Sequence, residues 1–325
     1  MLQSKVSSHP LAGKSTHEFS LRSERIWGER LADVVLRGLI AVASVLPLSP
    51  RLSMVSFLMR RVLAGPAGYR NRALANLEYV WPNKAKSERA RIAERALDNA
   101  ARTLIENYDV SGLLHRMNDV PPEGPGVAIL EAAKADGRPV MLVTGHYGNF
   151  EAARACLIAR GYQIGGLYRP MSNPYINAHY AQNMHKLSEP VFEQGTRGTI
   201  GLLRHIKSGG MGVLLFDLYD SAGIAIPFLG KPAPTLTSAA EIALKAGAIM
   251  VPFFGIRQKD GTSFRAVFEE PIADGTPENM TAEMTRRLEA RIADDPGQWF
   301  WIHRRWKPKR QAKRQRKAAA PKIGP

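Results

Sequence analysis

After the Pro/Gly break "PPEGPG" (residues 121–126), short β-type runs alternate with helical ones through most of the remaining chain. "PVMLVT" is followed by "EAARACLIAR", and "YQIGGLY" by "PYINAHYAQNMHKL". A helical stretch around "GTIGLLRHIKSG" precedes "MGVLLFDL"; "LTSAAEIALKAG" precedes "AIMVPFFGIR" and "SFRAVFEE"; "TAEMTRRLEARIA" closes the series. Alternation of this kind predicts an α/β fold, a mostly parallel central sheet covered by helices. No internal repeat is visible, and no Gly-x-Gly-x-x-Gly follows a strand, so a dinucleotide fold has no support.

The preceding segment has a different texture. Residues 1–22 are polar and lack an apolar h-region, so they read as a disordered lead rather than a signal peptide. "AGKS" within them lacks the first glycine of a phosphate loop, since Ser8 stands there, and no strand precedes it. Residues 23–65 hold two strongly apolar, helix-like segments broken at Pro47 and Pro50. This is the expected N-terminal apolar, membrane-associating helical segment. Its charge-free part, Gly38 to Leu48, is about half of the ~20 residues a span needs. A helix lying in the interface therefore fits better than a single pass, with a plain core helix pair as the other reading. Basic residues on both sides choose no orientation. Residues 87–110 form a long amphipathic helix with Ser87 as its cap. The α/β domain is expected over 66–307 and a basic disordered tail over 308–325.

Charge narrows the partners. A formal +16 and a pI near 10.1 imply attraction to nucleic acid, an anionic membrane or an acidic protein. Ten cations with no acid among them lie between Arg304 and Lys322, so the body itself carries only a modest excess. The single cysteine, Cys156, excludes an internal disulfide framework and fits a reducing compartment. It reads as a small buried filler in a helix rather than a nucleophile.

The candidate chemistry lies in "TGHYGNFE", residues 144–151, which closes the first β-type run. A strand ending at Thr144 places His146 at the carboxyl edge of the sheet, where open α/β folds hold ligands. Gly145 and Gly148 permit a sharp turn and close approach of a substrate. Asn149 can cap a helix starting near Phe150, which puts Glu151 in the first turn, where it can meet His146 and hold its tautomer. Free backbone N–H groups at the helix start could receive an oxyanion. No Gly-x-Ser-x-Gly elbow occurs, which suits direct attack by a substrate hydroxyl. His-x4-Glu is not a metal spacing, and no third ligand stands near, so no metal is expected. Two readings stay open on spacing alone: a catalytic base, or a histidine satisfied within its turn.

"TGHYGNFE" resembles the His-x4-Asp/Glu box of the glycerolipid acyltransferase superfamily. In its wider context it resembles the bacterial lipid A biosynthesis (lauroyl/myristoyl) acyltransferases. Further stretches agree in order: "NRALANLEYVWPN" with "IENY", "LYRPMSNP", "AIPFLGKPAPTLTSAAEIALKAGAIMVPFF" and "QWFWIHRRWK". The likeness covers roughly residues 30 to 307. It implies that His146 is a general base and Glu151 its orienting acid. The donor it implies is an acyl carrier protein thioester, and the acceptor a hydroxyl of a hydroxyacyl chain on a phosphorylated glucosamine lipid. No cofactor is implied.

Arg169 matches the arginine of the Tyr-Arg-Pro box, with a role on the substrate phosphate or the reacting carbonyl; a structural loop arginine is the alternative. "LLFDLYDSAG" departs from the family's usual acid spacing. Asp217, at a strand's carboxyl end, stays a site candidate, and Asp220 is left in doubt. Gly148 and Asn149 count as substrate-binding candidates at the turn. Arg197 and Lys231 do so for phosphate, or else as solvated surface cations. Acyl carrier protein, the phosphorylated glycolipid and the anionic inner membrane, approached from its cytoplasmic face, would all attract a basic enzyme. No nucleic acid is expected. Trp299, Trp301 and Trp306 would form an interfacial belt, or else the first two pack in the core while neighbouring arginines pair with acids. Other lipid acceptors, and a non-catalytic basic binding protein, are the competing readings.

Overall fold

In the computed structural model the chain is described over residues 13–308 and at Arg310 and Gln311. Helices come first: α1 Gly13–Val45, α2 Leu48–Leu58 running into a π-helical turn Met59–Leu63, α3 Tyr69–Val80, α4 Lys86–Tyr108 and α5 Val110–Asn118. The alternating region gives β1 Pro122–Glu123, α6 Gly126–Asp136, β2 Val140–Thr144, α7 Phe150–Ala159, β3 Ile164–Tyr168 and α8 Pro174–Leu187. Next come β4 Val191–Glu193, α9 Thr196–Lys207, β5 Met211–Leu215, β6 Ile224–Phe228 and β7 Lys231–Thr235. The series ends with α10 Ser238–Ala246, β8 Ile249–Arg257, β9 Phe264–Phe268 and α11 Pro277–Asp294.

Seven strands form one sheet in the order β1-β9-β8-β2-β5-β3-β4, and β6 pairs with β7 in a separate hairpin. From β8 to β4 every neighbour is parallel. Strand β9 runs against β8 because the two are joined by a tight turn rather than a helix. The mixed α/β class, with a mostly parallel sheet under helices, is the one the alternation predicts. Strand β2 lies inside and is buried along its whole length, which is why "VMLVT" reads as an unbroken apolar run. Its side chains alternate between two cores: Met141 and Val143 enter one, Val140 and Leu142 the other.

The N-terminal region departs from expectation. Helix α1 starts at Gly13, so residues 13–22 of the expected lead are helical, and residues 1–12 lie outside the described part. No proline interrupts Lys14 to Val45, so one nucleated helix can propagate through the whole stretch despite Gly28 and Gly38. Pro47 then caps α2, and Pro50 fits within its first turn. Among the described residues no helix is long and apolar enough to cross a membrane. Instead, α1 exposes Trp27, Leu31, Val34, Val42 and Val45, each by more than half. These recur at helical spacing, so they share one face. The opposite side docks on α8, where Arg30 Nε donates to the Tyr175 hydroxyl (2.9 Å) and Asn173 Nδ2 to the Glu29 carbonyl (2.8 Å).

Helix α4 begins one residue before Ser87, with Ala85 at its cap, so Ser87 is not the capping residue. The tryptophans take the core reading rather than the belt. Trp299, Trp301 and Trp306 are all buried in the main core, in mutual ring contact, and form no belt. Buried Arg305 bonds the Pro234 carbonyl and the Thr235 hydroxyl rather than an acid. Asn76 of α3 fixes this segment by donating to the Trp301 and His303 carbonyls, both at 2.8 Å. Beyond Gln311 the basic tail lies outside the described residues. Cys156 is buried.

Candidate active site

Sheet register brings the central pair together. Strands β2 and β5 are parallel neighbours with Thr144 opposite Leu215. His146 and Asp217 each lie two residues past that pair, at the carboxyl edge. Asp217 Oδ1 meets His146 Nδ1 at 2.7 Å, and Oδ2 accepts from the His146 backbone N–H and from Trp299 Nε1, both at 2.9 Å. Asp217 is 1% exposed. Burial pushes its carboxyl up, but the His146 charge and hydrogen bonds pull harder and hold it well below the usual carboxylate range. An ionised Asp217 only accepts, so the Nδ1 hydrogen bond is donated by His146, and Nε2 is the ring nitrogen left for the cleft. Nε2 has no hydrogen-bond partner among the described residues, and the ring lines a cleft. The His303 ring centroid lies 6.4 Å from that of His146, and burial pushes His303 down to about 4.

Glu151, the expected orienting acid, has a different partner. It accepts from Arg154 at 3.3 Å, one turn along α7, and both line the cleft with His146. The histidine's carboxylate is therefore Asp217, supplied by the neighbouring strand rather than by the same turn. Asn149 does cap α7, its Oδ1 accepting from the Glu151 N–H at 3.1 Å. The expected row of free N–H groups is mostly absent. From His146 to Ala152 every backbone N–H except that of Phe150 has a partner among the described residues.

The other candidates scatter. Arg169 is exposed, lines the cleft and has no ion pair among the described residues. Burial, then the charges of Arg310, Arg304 and Arg169, push Lys307 below its ordinary value. Lys307 Nζ sits 3.9 Å from the centroid of the Tyr219 ring, and Tyr219 and Asp220 line the cleft. Gly148 and Asn149 lie behind the loop and do not line the cleft. Gly148 is there because its φ is +58° and a Cβ would come within 2.0 Å of the Gly255 carbonyl. Arg197 is exposed on α9, and Lys231 packs over Tyr79, both away from the cleft. Apolar lining comes from Leu167, Met171, Met184, Phe216, Leu218 and Phe253. Among the described residues no three metal-ligating side chains converge.

A cleft at the carboxyl edge of a parallel sheet, with a histidine on its wall held from behind by a buried carboxylate, is the build of an α/β enzyme. Comparison with known proteins gives the kind. The family model for bacterial lipid A biosynthesis acyltransferases matches residues 18–308, and the chain belongs to that family. It is an acyltransferase. A lipid A biosynthesis acyltransferase of Haemophilus influenzae is 22% identical over 263 residues, which is 77% of this chain and 82% of that protein. Two Escherichia coli proteins are each 25% identical: a lipid A biosynthesis lauroyltransferase over 71% of this chain and 77% of its own, and a palmitoleoyltransferase over 78% and 85%.

Proposed function

We propose that the protein moves an acyl chain from an acyl carrier protein thioester to a hydroxyl of a hydroxyacyl chain on a phosphorylated lipid A precursor. The family fixes the coarser part, acyl transfer in lipid A synthesis with a lipid acceptor and an acyl donor. What supports the finer reading is His146 held at Nδ1 by ionised Asp217 while Nε2 stays open beside an apolar cleft. Nε2 takes the proton of the acceptor hydroxyl as its oxygen attacks the thioester carbonyl. The tetrahedral intermediate then collapses: the C–S bond breaks, and the imidazolium returns its proton to the thiolate. No serine, threonine or cysteine side chain bonds His146 among the described residues, which fits attack by the acceptor itself. The Phe150 N–H, at the start of α7, is the backbone donor left for the oxyanion. Arg169, exposed where it lines the cleft, meets the acceptor's phosphate.

The test is direct. Membranes holding the protein receive acyl carrier protein thioesters and a tetra-acylated, Kdo-bearing precursor, with products read by mass spectrometry. A gain of one acyl chain is expected. No gain with any chain length would sink this acceptor and move the reaction to another lipid.

Membrane contact follows from α1. Its exposed apolar face and the flanking cations suit the surface of an anionic bilayer, with the helix lying flat on the cytoplasmic side of the inner membrane. Burying each such side chain contributes about 1.5–3 kcal/mol. Replacing Trp27, Leu31 and Val34 together by serine is expected to weaken co-sedimentation with anionic vesicles more than about tenfold. Unchanged sedimentation would remove α1 as the anchor.

A further inference from the structure

Behind the His146 loop, on the side away from the cleft, lies a buried ion pair that no step above uses. Arg257, at the end of β8, donates from both terminal nitrogens to Glu106 of α4, each at 2.7 Å. The Glu106 side chain is fully buried and that of Arg257 nearly so. Neither lines the cleft, so neither can touch a substrate there. The pair reaches the loop by two routes. Glu106 Oε2 accepts from Asn149 Nδ2 at 2.9 Å, which fixes the flip of the amide whose oxygen caps α7. Arg257 Nε donates to Asn99 Oδ1 at 2.8 Å, leaving Asn99 Nδ2 to donate to the Gly148 carbonyl at 2.9 Å, where the Thr103 hydroxyl adds a second bond at 3.0 Å.

A buried arginine–carboxylate pair is weak evidence for stability, since hydrophobic replacements often do as well; its clearer use is to fix one arrangement. Here the arrangement fixed is the backbone at Gly148 and Asn149, between the base and its helix. We infer that Glu106 and Arg257 are positioning residues: through Asn149, Asn99 and Thr103 they hold the loop so that His146 meets Asp217 with Nε2 toward the cleft. The inference rests on the proposed role of His146 as base.

Asn149→Asp is the sharpest test. Aspartate still caps a helix, but it loses the donor to Glu106 and sets two carboxylates face to face. Transfer is expected to fall about a hundredfold in kcat with KM changed less than about twofold, as for a displaced catalytic group. Adding Glu106→Gln exchanges the places of amide and carboxylate, and should restore at least about a tenth of wild-type kcat. Full kcat in Asn149→Asp, or no recovery in a folded double variant, would overturn the inference. Should Asn149→Asp fail to fold, Thr103→Val removes one bond to Gly148, and a kcat equal to wild type there would count against it.

A substrate-free reading keeps this separate from the function itself. Diethyl pyrocarbonate should modify His146 faster in Asn149→Asp than in the wild type, with exposed His185 reacting equally in both. Equal His146 rates would refute the clamp. Altered rates in a protein that acylates no lipid would leave the clamp standing and fault only the proposed reaction.

Discussion

Replacing His146 by alanine is expected to lower acyl transfer by about a hundred- to ten-thousandfold, the usual cost of losing a general base. The fold should survive. The His146 side chain is 22% exposed, and its removal empties a cleft wall rather than a core. Asp217 loses its Nδ1 partner yet keeps the backbone N–H of residue 146 and Trp299 Nε1. Its carboxyl, no longer beside the imidazole, should rise toward the ordinary range, because His146 supplies the main downward pull. Retention of more than about a tenth of wild-type kcat/KM would mean that the hydroxyl loses its proton elsewhere, and would overturn the base assignment. Thioester binding should be spared, so a parallel rise in KM for the donor would point to disrupted packing instead.

Why the sequence offers both His146 and Asp217 as site candidates but not their pairing is a matter of range. "PVMLVT" followed by "GHYGNFE" is local: a buried run ends, a turn follows, and Asn149 starts a helix where a cap residue belongs. Within that window Glu151 is the one carboxylate, so it becomes the natural candidate to hold the imidazole. The actual partner depends on strand order. Asp217 lies 71 residues away and reaches His146 because β5, third of the parallel run, inserts beside β2. Alternation of strands and helices predicts a parallel sheet without saying which strands touch.

Of the two readings left open for the tryptophans, the structure takes core packing, extends it to Trp306, and does so for a related reason. "QWFWIHRRWK" looks like a wet aromatic belt only until α3 and the β6–β7 hairpin cover it, and both are remote in sequence. Arg169 lies in a short box, and its side chain is exposed at the cleft. Arg197 and Lys231 carried no signal beyond charge, and charge alone does not tell a cleft from any other surface. Glu106 falls in the quoted "IENY" stretch, but its pairing with Arg257 was invisible, since 151 residues separate them and Arg257 sits in an ordinary strand pattern.

Asp217→Asn separates the two carboxylates that compete for the role of orienting acid. The change is isosteric and leaves a side chain able to accept from the His146 N–H, so the loop should hold. What changes is the hydrogen bond at Nδ1. Aspartate only accepts, which holds the proton on Nδ1 and the lone pair on Nε2; asparagine can donate, which stabilises the opposite tautomer and places a proton where the base must be free. It also removes the negative charge that stabilises the imidazolium formed during transfer. The expected loss in kcat is about a thousand- to ten-thousandfold, with KM little changed. If Glu151 were the orienting acid, as the turn's spacing suggests, Asp217→Asn would cost less than about tenfold.

Stability supplies an independent sign. A carboxyl held below its unfolded value of about 3.9 stabilises the fold fully above that pH, and this contribution is lost as pH falls through the lower folded value. The gap in unfolding free energy between wild type and Asp217→Asn should therefore be widest near neutrality and shrink below about pH 4. A gap that stayed constant down to pH 2 would mean that Asp217 is not held ionised by His146, and the chemical argument for Nε2 as the base would go with it.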